Sequence, residues 1–197
     1  FEGVLKESTL PRTRSQARYF LGLTRQLQGD HAAALEALKP LVDEVLAGEH
    51  AAEFAEALIL QADSLIQTTR PAEAITAAKA YLERFPKGRQ RQRCYGLLAT
   101  AQQRFELPAD ALQTLTALLR EFPDSAVSDT LVLQAGEAAE ERSDWPAAIK
   151  IYRLLAESGA PRDAQAYALR GLGWAQLQSP DHSAAAATFA KLIATYP

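Results

Sequence analysis

Apolar side chains recur along this chain at steps of three and four. Tyr95, Leu98, Ala99 and Phe105, with Gln102 filling the remaining place, mark one face of a helix. A break follows at Leu107-Pro108. Ala111, Leu112, Leu115, Leu118, Leu119 and Phe122 then mark a second helical face, closed by Pro123. Proline suits the first turn of a helix, where its missing N–H has no intrahelical partner, and the residue before a proline avoids the α region. Pro108 therefore starts the second helix and Phe122-Pro123 stops it. No stretch alternates with period two, so the pattern predicts helix pairs and no strands.

The pair is repeated. Phe85-Pro86 recurs as Phe122-Pro123 after 37 residues and as Tyr196-Pro197 after twice that step, with Gly159-Ala160-Pro161 slipped by one residue in the slot between. Ala74, Ala111, Ala148 and Ala185 keep the same step, and so do Ala62, Ala99, Gly136 and Gly173. A column of larger apolar residues runs through Ala78, Leu115, Tyr152 and Phe189. Gly22 and Ala34 lie 40 residues before Ala62 and Ala74, which places three extra residues around Ala47-Gly48-Glu49. Such columns mark a repeat architecture. The expected organisation is one domain over 1–197. It holds the end of a truncated repeat at 1–11 and five helix pairs at about 15–50, 55–88, 92–125, 129–161 and 166–197.

Each column has a physical reason. Helices approach within about 8 Å only where side chains at the crossing are small, so the Gly and Ala columns mark helix crossings. Asp30, Asp144 and Asp181 stand in the turn between the two helices of a repeat. There a carboxylate accepts from the free N–H groups of the helix that follows.

A helix pair with a small residue in its first helix, a small residue early in its second, a large apolar residue later and a closing proline resembles the tetratricopeptide repeat. The resemblance covers Ser15 to Pro197. The period exceeds the family's usual 34 residues by three. The large aromatic early in the first helix survives only at Tyr95, with Arg18, Leu58, Val132 and Leu169 in its place. The longer period and the Phe/Tyr-Pro ending are similar to bacterial cell-envelope members, including the periplasmic Tol-Pal-associated protein and an outer-membrane-assembly lipoprotein. They imply a periplasmic or envelope location.

The resemblance implies an all-α, right-handed α-solenoid whose first helices line a concave groove that receives a peptide or partner helix. Carried onto this chain, the groove takes Tyr19, Leu23 and Gln26, then Ile59 and Asp63. Arg93, Gly96, Thr100 and Gln103 follow, then Leu133, Glu137 and Glu140, and last Tyr167, Arg170 and Trp174. Trp, Tyr and Arg most often anchor interfaces. Trp174 is either the groove's anchor or a packing residue against the next repeat.

Composition narrows the classes. The 197 residues are 48% hydrophobic and 23% charged with a net charge of -3, which excludes disorder and gives no global attraction to nucleic acid or an anionic membrane. No apolar stretch is long enough to span a bilayer. One cysteine, Cys94, forms no internal disulfide. It reads as a packing residue, although Arg91 and Arg93 beside it would favour a thiolate. His31, His50 and His182 are far apart without ligand-spaced partners, and no phosphate-binding loop appears. Neither a catalytic or metal site nor a cofactor is expected. Glu137, Glu140 and Glu141 read as a solvated helical face. The basic run Lys87-Gly88-Arg89-Gln90-Arg91-Gln92-Arg93 reads as a solvated loop, with an anionic partner as the other reading.

The chain lacks methionine, begins within a repeat and ends on an apolar helix, Ala184 to Tyr196. It therefore reads as a piece of a longer protein. Solenoid ends need a polar cap, and three or four uncovered large side chains forgo about 5–10 kcal/mol of burial. Phe189 and Leu192 are thus expected to meet further repeats or another copy of the chain. The expected function is a non-catalytic scaffold for a protein or peptide. A self-assembly or spacer module, or the non-catalytic arm of a larger enzyme or envelope complex, are the alternatives.

Overall fold

The computed structural model describes residues 1–196; Pro197, the last proline of the repeat series, lies outside the described residues. The helices are α1 (Glu2–Glu7), α2 (Pro11–Leu27), α3 (His31–Ala47), α4 (Glu56–Gln67), α5 (Pro71–Arg84) and α6 (Arg91–Arg104). They continue with α7 (Pro108–Glu121), α8 (Ala126–Glu141), α9 (Trp145–Ala156), α10 (Arg162–Gln178) and α11 (His182–Thr195). Among the described residues there is no strand. The chain divides into two compact units, Phe1–Phe105 and Glu106–Pro197. The division falls between the two helices of the pair read at 92–125.

Local chemistry sets the helix ends. The carboxylates of Asp30, Asp144 and Asp181 accept from the backbone N–H groups of Ala33, Ala147 and Ala184 at 3.0, 3.2 and 3.1 Å. Pro71 and Pro108 open α5 and α7 without a side-chain cap. At the other ends, Phe85, Phe122 and Tyr196 leave the α region with ψ of 67, 63 and 68°. Gly48 ends α3 in the left-handed region at φ 97°, a conformation glycine adopts without a Cβ penalty. The three extra residues of the first repeat fall in the turns after it.

In the N-terminal unit each helix packs on the next, and the first helices also pack on one another, α2 on α4 and α4 on α6. In the C-terminal unit α8, α9, α10 and α11 do the same, with α8 on α10. The fold class is therefore the α-solenoid of helix pairs. Its N-terminal core gathers Leu38, Leu41, Val45, Leu58, Ile59, Leu65 and Tyr81.

At the crossings the glycine of the first helix lies under the large residue of the second. A β-carbon on Gly22 would stand 2.5 Å from Leu38 Cγ, one on Gly136 2.5 Å from Tyr152 Cε1, and one on Gly173 2.8 Å from Phe189 Cε1. Where the first helix carries Ala62, the corresponding residue of the second is Ala78, and both are buried.

A second recurring device was not read from the sequence. Arg14 Nη1 donates to the carbonyls of Leu5 (2.8 Å) and Ser8 (3.2 Å). Arg91 Nη1 donates with the same spacing to Leu82 (2.8 Å) and Phe85 (3.4 Å). At the same register two repeats on, Gln165 Nε2 donates to Ser158 O at 2.8 Å. These side chains satisfy carbonyls in the last turn of the preceding helix or just past its end, where no intrahelical partner is available.

Candidate functional site

The C-terminal unit holds a cavity whose floor is an aromatic ring admitted by two glycines. Tyr152 of α9 reaches between α8 and α10. A β-carbon on Gly136 would meet its Cε1 at 2.5 Å, and one on Gly171 would meet its Cζ at 2.6 Å. Along α8, Leu133, Glu137 and Glu140 fall on one face at steps of four and three; along α10, Tyr167, Arg170, Gly171 and Trp174 do the same. Together with Tyr152 and Phe189 these side chains enclose about 310 Å³. All six residues placed here by the repeat frame line this one cavity. Trp174 and Tyr167 remain 47% and 55% exposed.

The cavity is electrically asymmetric. The Arg170 guanidinium lies over the Tyr167 ring, 5.2 Å from its centroid. Glu140 is half-buried, and its Oε1 is shielded from solvent with no hydrogen-bond partner. Burial raises the Glu140 carboxyl above the ordinary range; the neighbouring charge of Glu137 adds to this, while a hydrogen bond with the Tyr152 hydroxyl and the charge of Arg170 oppose it. The Tyr152 hydroxyl is itself pushed up, first by burial and then by the Glu140 charge. The solvated face expected for Glu137, Glu140 and Glu141 is therefore corrected at Glu140. Its immediate neighbours in sequence are small or polar, but the fold brings Tyr152 against it. A second buried carboxylate, Asp129 on α8, is 4% exposed with both oxygens unpaired, and burial raises its pKa.

In the N-terminal unit the predicted groove residues are engaged in the packing of first helices. The Tyr19 hydroxyl donates to Glu56 Oε2 at 3.2 Å, and its ring lies 6.2 Å from that of Phe54. Gln26 Nε2 donates to Leu60 O and to Ser64 Oγ, both at 3.4 Å. Leu23 packs against the core, and Ile59 is part of it at 1% exposure. Arg93 and Asp63 form an ion pair at 2.7 Å. Thr100 Oγ1 donates to Gly96 O at 2.9 Å, and Gln103 is buried.

The basic run is corrected as well. Arg91 is no solvated residue: it ties the end of α5 to α6 and also donates to the Tyr95 hydroxyl at 3.1 Å. Arg93 is spent on Asp63. Lys87 and Arg89 stay exposed, and they share a cavity of about 620 Å³ with Arg84, Glu53 and Glu56, a lining of mixed charge. Cys94 is buried, its thiol 3.2 Å from Ala78 O, and burial pushes its pKa up to about 12 against a smaller opposing pull from Arg91. It is a packing residue.

His31 opens α3 behind the Asp30 cap, with its Nδ1 shielded and unpaired, while His50 and His182 are exposed. Among the described residues no three His, Cys, Asp or Glu side chains gather as metal ligands. No described helix is long and apolar enough to cross a membrane.

At the end of α11 the Phe189 ring is half-buried over Gly173, inside its own repeat rather than on the outer face expected for it. Ile193 is the residue left open, at 72% exposure, and Leu192 is half-buried.

Comparison with known proteins agrees with this architecture. A family model described as "Tetratricopeptide repeat" matches residues 19–89, 59–126 and 133–197. Among solved structures, MamA from Desulfovibrio magneticus RS-1 is 17% identical over 91% of this chain and 93% of its own, with a TM-score of 0.60. A putative kinesin light chain with TPR-like repeats from Podosopora anserina is 14% identical over 92% of this chain and 94% of its own, with a TM-score of 0.60. The apo form of the quorum sensor NprR from B. thuringiensis is 20% identical over 98% of this chain and 56% of its own, with a TM-score of 0.61. A comparison with curated proteins returns no match.

Proposed function

Since the chain belongs to the tetratricopeptide repeat family, whose members are protein–protein interaction scaffolds, we propose that it holds an extended peptide or partner helix on the faces of its first helices. The observation that carries this reading is the convergence of Leu133, Glu137, Glu140, Tyr167, Arg170 and Trp174 on one cavity between α8 and α10. The scaffold is non-catalytic. Its contribution is a surface ordered in advance, so that little entropy is lost when a flexible ligand docks. Trp174 is the anchor. It combines a large amphipathic face, high exposure and a place on α10 just after Gly171 and Gly173, where Tyr152 and Phe189 pack close against the helix.

Panning a random library of twelve-residue peptides against the chain tests this. Enriched peptides that lose about 2 kcal/mol of binding, roughly thirtyfold, on Trp174→Ala support the reading. A library that yields no binder, or binders indifferent to Trp174, sinks it.

A second reading rests on α11. Leu192, Ile193 and Tyr196 border a cavity of about 630 Å³ with Tyr167 and Arg170, and Ile193 is the most exposed large apolar side chain of the C-terminal unit. This face would join two copies of the chain. Light scattering over a concentration series distinguishes it: a mass that rises with concentration, and returns to the monomer on Ile193→Lys, favours self-association.

A further inference from the structure

We propose that the cavity between α8 and α10 receives a basic side chain, lysine or arginine, of the bound peptide, with Glu137 and Glu140 as its counter-charges and the Trp174 face as its wall. The proposal rests on the groove reading and names what one position of the peptide must be.

Four observations converge on it. The carboxylates lining the cavity, Glu137 and Glu140, outnumber its one cation, Arg170, which is already placed over the Tyr167 ring. Glu140 Oε1 is a shielded acceptor without a donor, and buried acceptors of this kind are stabilised by a ligand N–H. The exposed indole of Trp174 offers the ring face that binds cations best. The unit as a whole repels anions and attracts cations: residues 106–197 carry twelve Asp and Glu against seven Lys and Arg.

Size and charge exclude other occupants. At about 310 Å³ the space is at the lower end of ligand pockets, enough for one long side chain and too small for a helix. A carboxylate or phosphate would meet two like charges against the one cation, Arg170, which is held over the Tyr167 ring. An apolar side chain would leave the Glu140 oxygen unpaired and further desolvated.

The test follows the Trp174 indole N–H resonance of ¹⁵N-labelled chain, assigned with Trp174→Phe and Trp145→Phe. The probes are the N-acetyl methylamides of arginine, lysine and norleucine. The expected result is a saturable shift with arginine or lysine, binding roughly tenfold tighter than norleucine. Glu140→Gln should weaken the cation about fivefold with an unchanged circular-dichroism spectrum. If Glu140→Gln does not fold, Glu137→Gln, on an exposed side chain, takes its place. An indole that answers norleucine as well as the cations, or answers neither, or a cation affinity unmoved by the Gln variants, overturns the proposal. The panned peptides separate the two claims. Trp174-dependent binders with no lysine or arginine at a fixed position overturn the cation and leave the groove. No binders, with the arginine shift intact, removes the groove and keeps the cavity's preference.

Discussion

Tyr152 lies over Gly136 so closely that a β-carbon there would stand 2.5 Å from its Cε1 and 2.7 Å from its Cζ. A second helix crowds the same ring, because a β-carbon on Gly171 would stand 2.6 Å from its Cζ. The aromatic floor of the cavity and the spacing of α8 and α10 are thus set by the same three residues.

Gly136→Ala therefore forces either the ring or the helix to move. Its expected cost is about 1–3 kcal/mol, the range for overpacking a filled core, read as a shift in the urea midpoint. Gly3→Ala, also helical but with nothing within 4 Å, is the control and should leave the midpoint unchanged or raise it slightly, since Ala favours the helix. A stable Gly136→Ala variant would mean that the ring has room to yield.

Arg91 shows what a charge run conceals. Arg91→Ala removes donors from the Leu82 and Phe85 carbonyls and the contact with Tyr95, and should cost about 1.5–3 kcal/mol, as hydrogen bonds of a charged group do. Arg91→Lys should recover little, since one ammonium cannot reproduce the planar fork. Arg89→Ala, two residues away and exposed, should change stability by less than about 0.5 kcal/mol. Equal losses at Arg89 and Arg91 would show that net positive charge, not geometry, matters in this loop.

These cases mark what was legible in the sequence and what was not. Period and proline placement disclose the helices, because the missing proline N–H and the aspartate caps act within a few residues; Asp30, Asp144 and Asp181 all bind where local chemistry puts them. The frame also brings Leu133, Glu137, Glu140, Tyr167, Arg170 and Trp174 to one cavity, since residues one repeat apart share a face. Tyr152 was visible only as a large residue in its column. Its role depends on Gly171, which sits two residues off the small column at Gly173. Glu140 looks solvated among Ala138, Ala139 and Glu141, and only the fold sets it against a ring twelve residues further on. Arg14, Arg91 and Gln165 do the same work in the same register with different side chains, so no column of identity reveals them.

Cys94 should be chemically silent in the folded chain. With its thiol pushed up to about 12, the reactive thiolate is essentially absent at pH 8. Burial also denies access. Ellman's reagent should find no thiol in the native protein and one per chain in guanidinium chloride. Rapid native labelling would mean that the α5–α6 pairing opens readily, because the thiol lies against Ala78.

Asp129 should make the chain more stable in mild acid than its other carboxylates would suggest. Burial raises its pKa in the folded state, so the folded chain binds its proton more readily than the unfolded chain does. The sign follows from linkage. Between the unfolded value, near 4, and the raised folded value the native state carries the extra proton, so this residue's contribution falls as pH rises through that window. Above it, the ionised and unpaired carboxylate is a fixed cost. Asp129→Asn should lift that cost and gain about 1 kcal/mol at pH 7, allowing for an amide that also lacks a partner. The gain should shrink steadily as thermal melts are taken from pH 7 toward pH 4, where the native aspartate takes up its proton. A pH-independent difference between the two proteins, or a loss at neutral pH, would mean that the Asp129 carboxylate is stabilised where it stands.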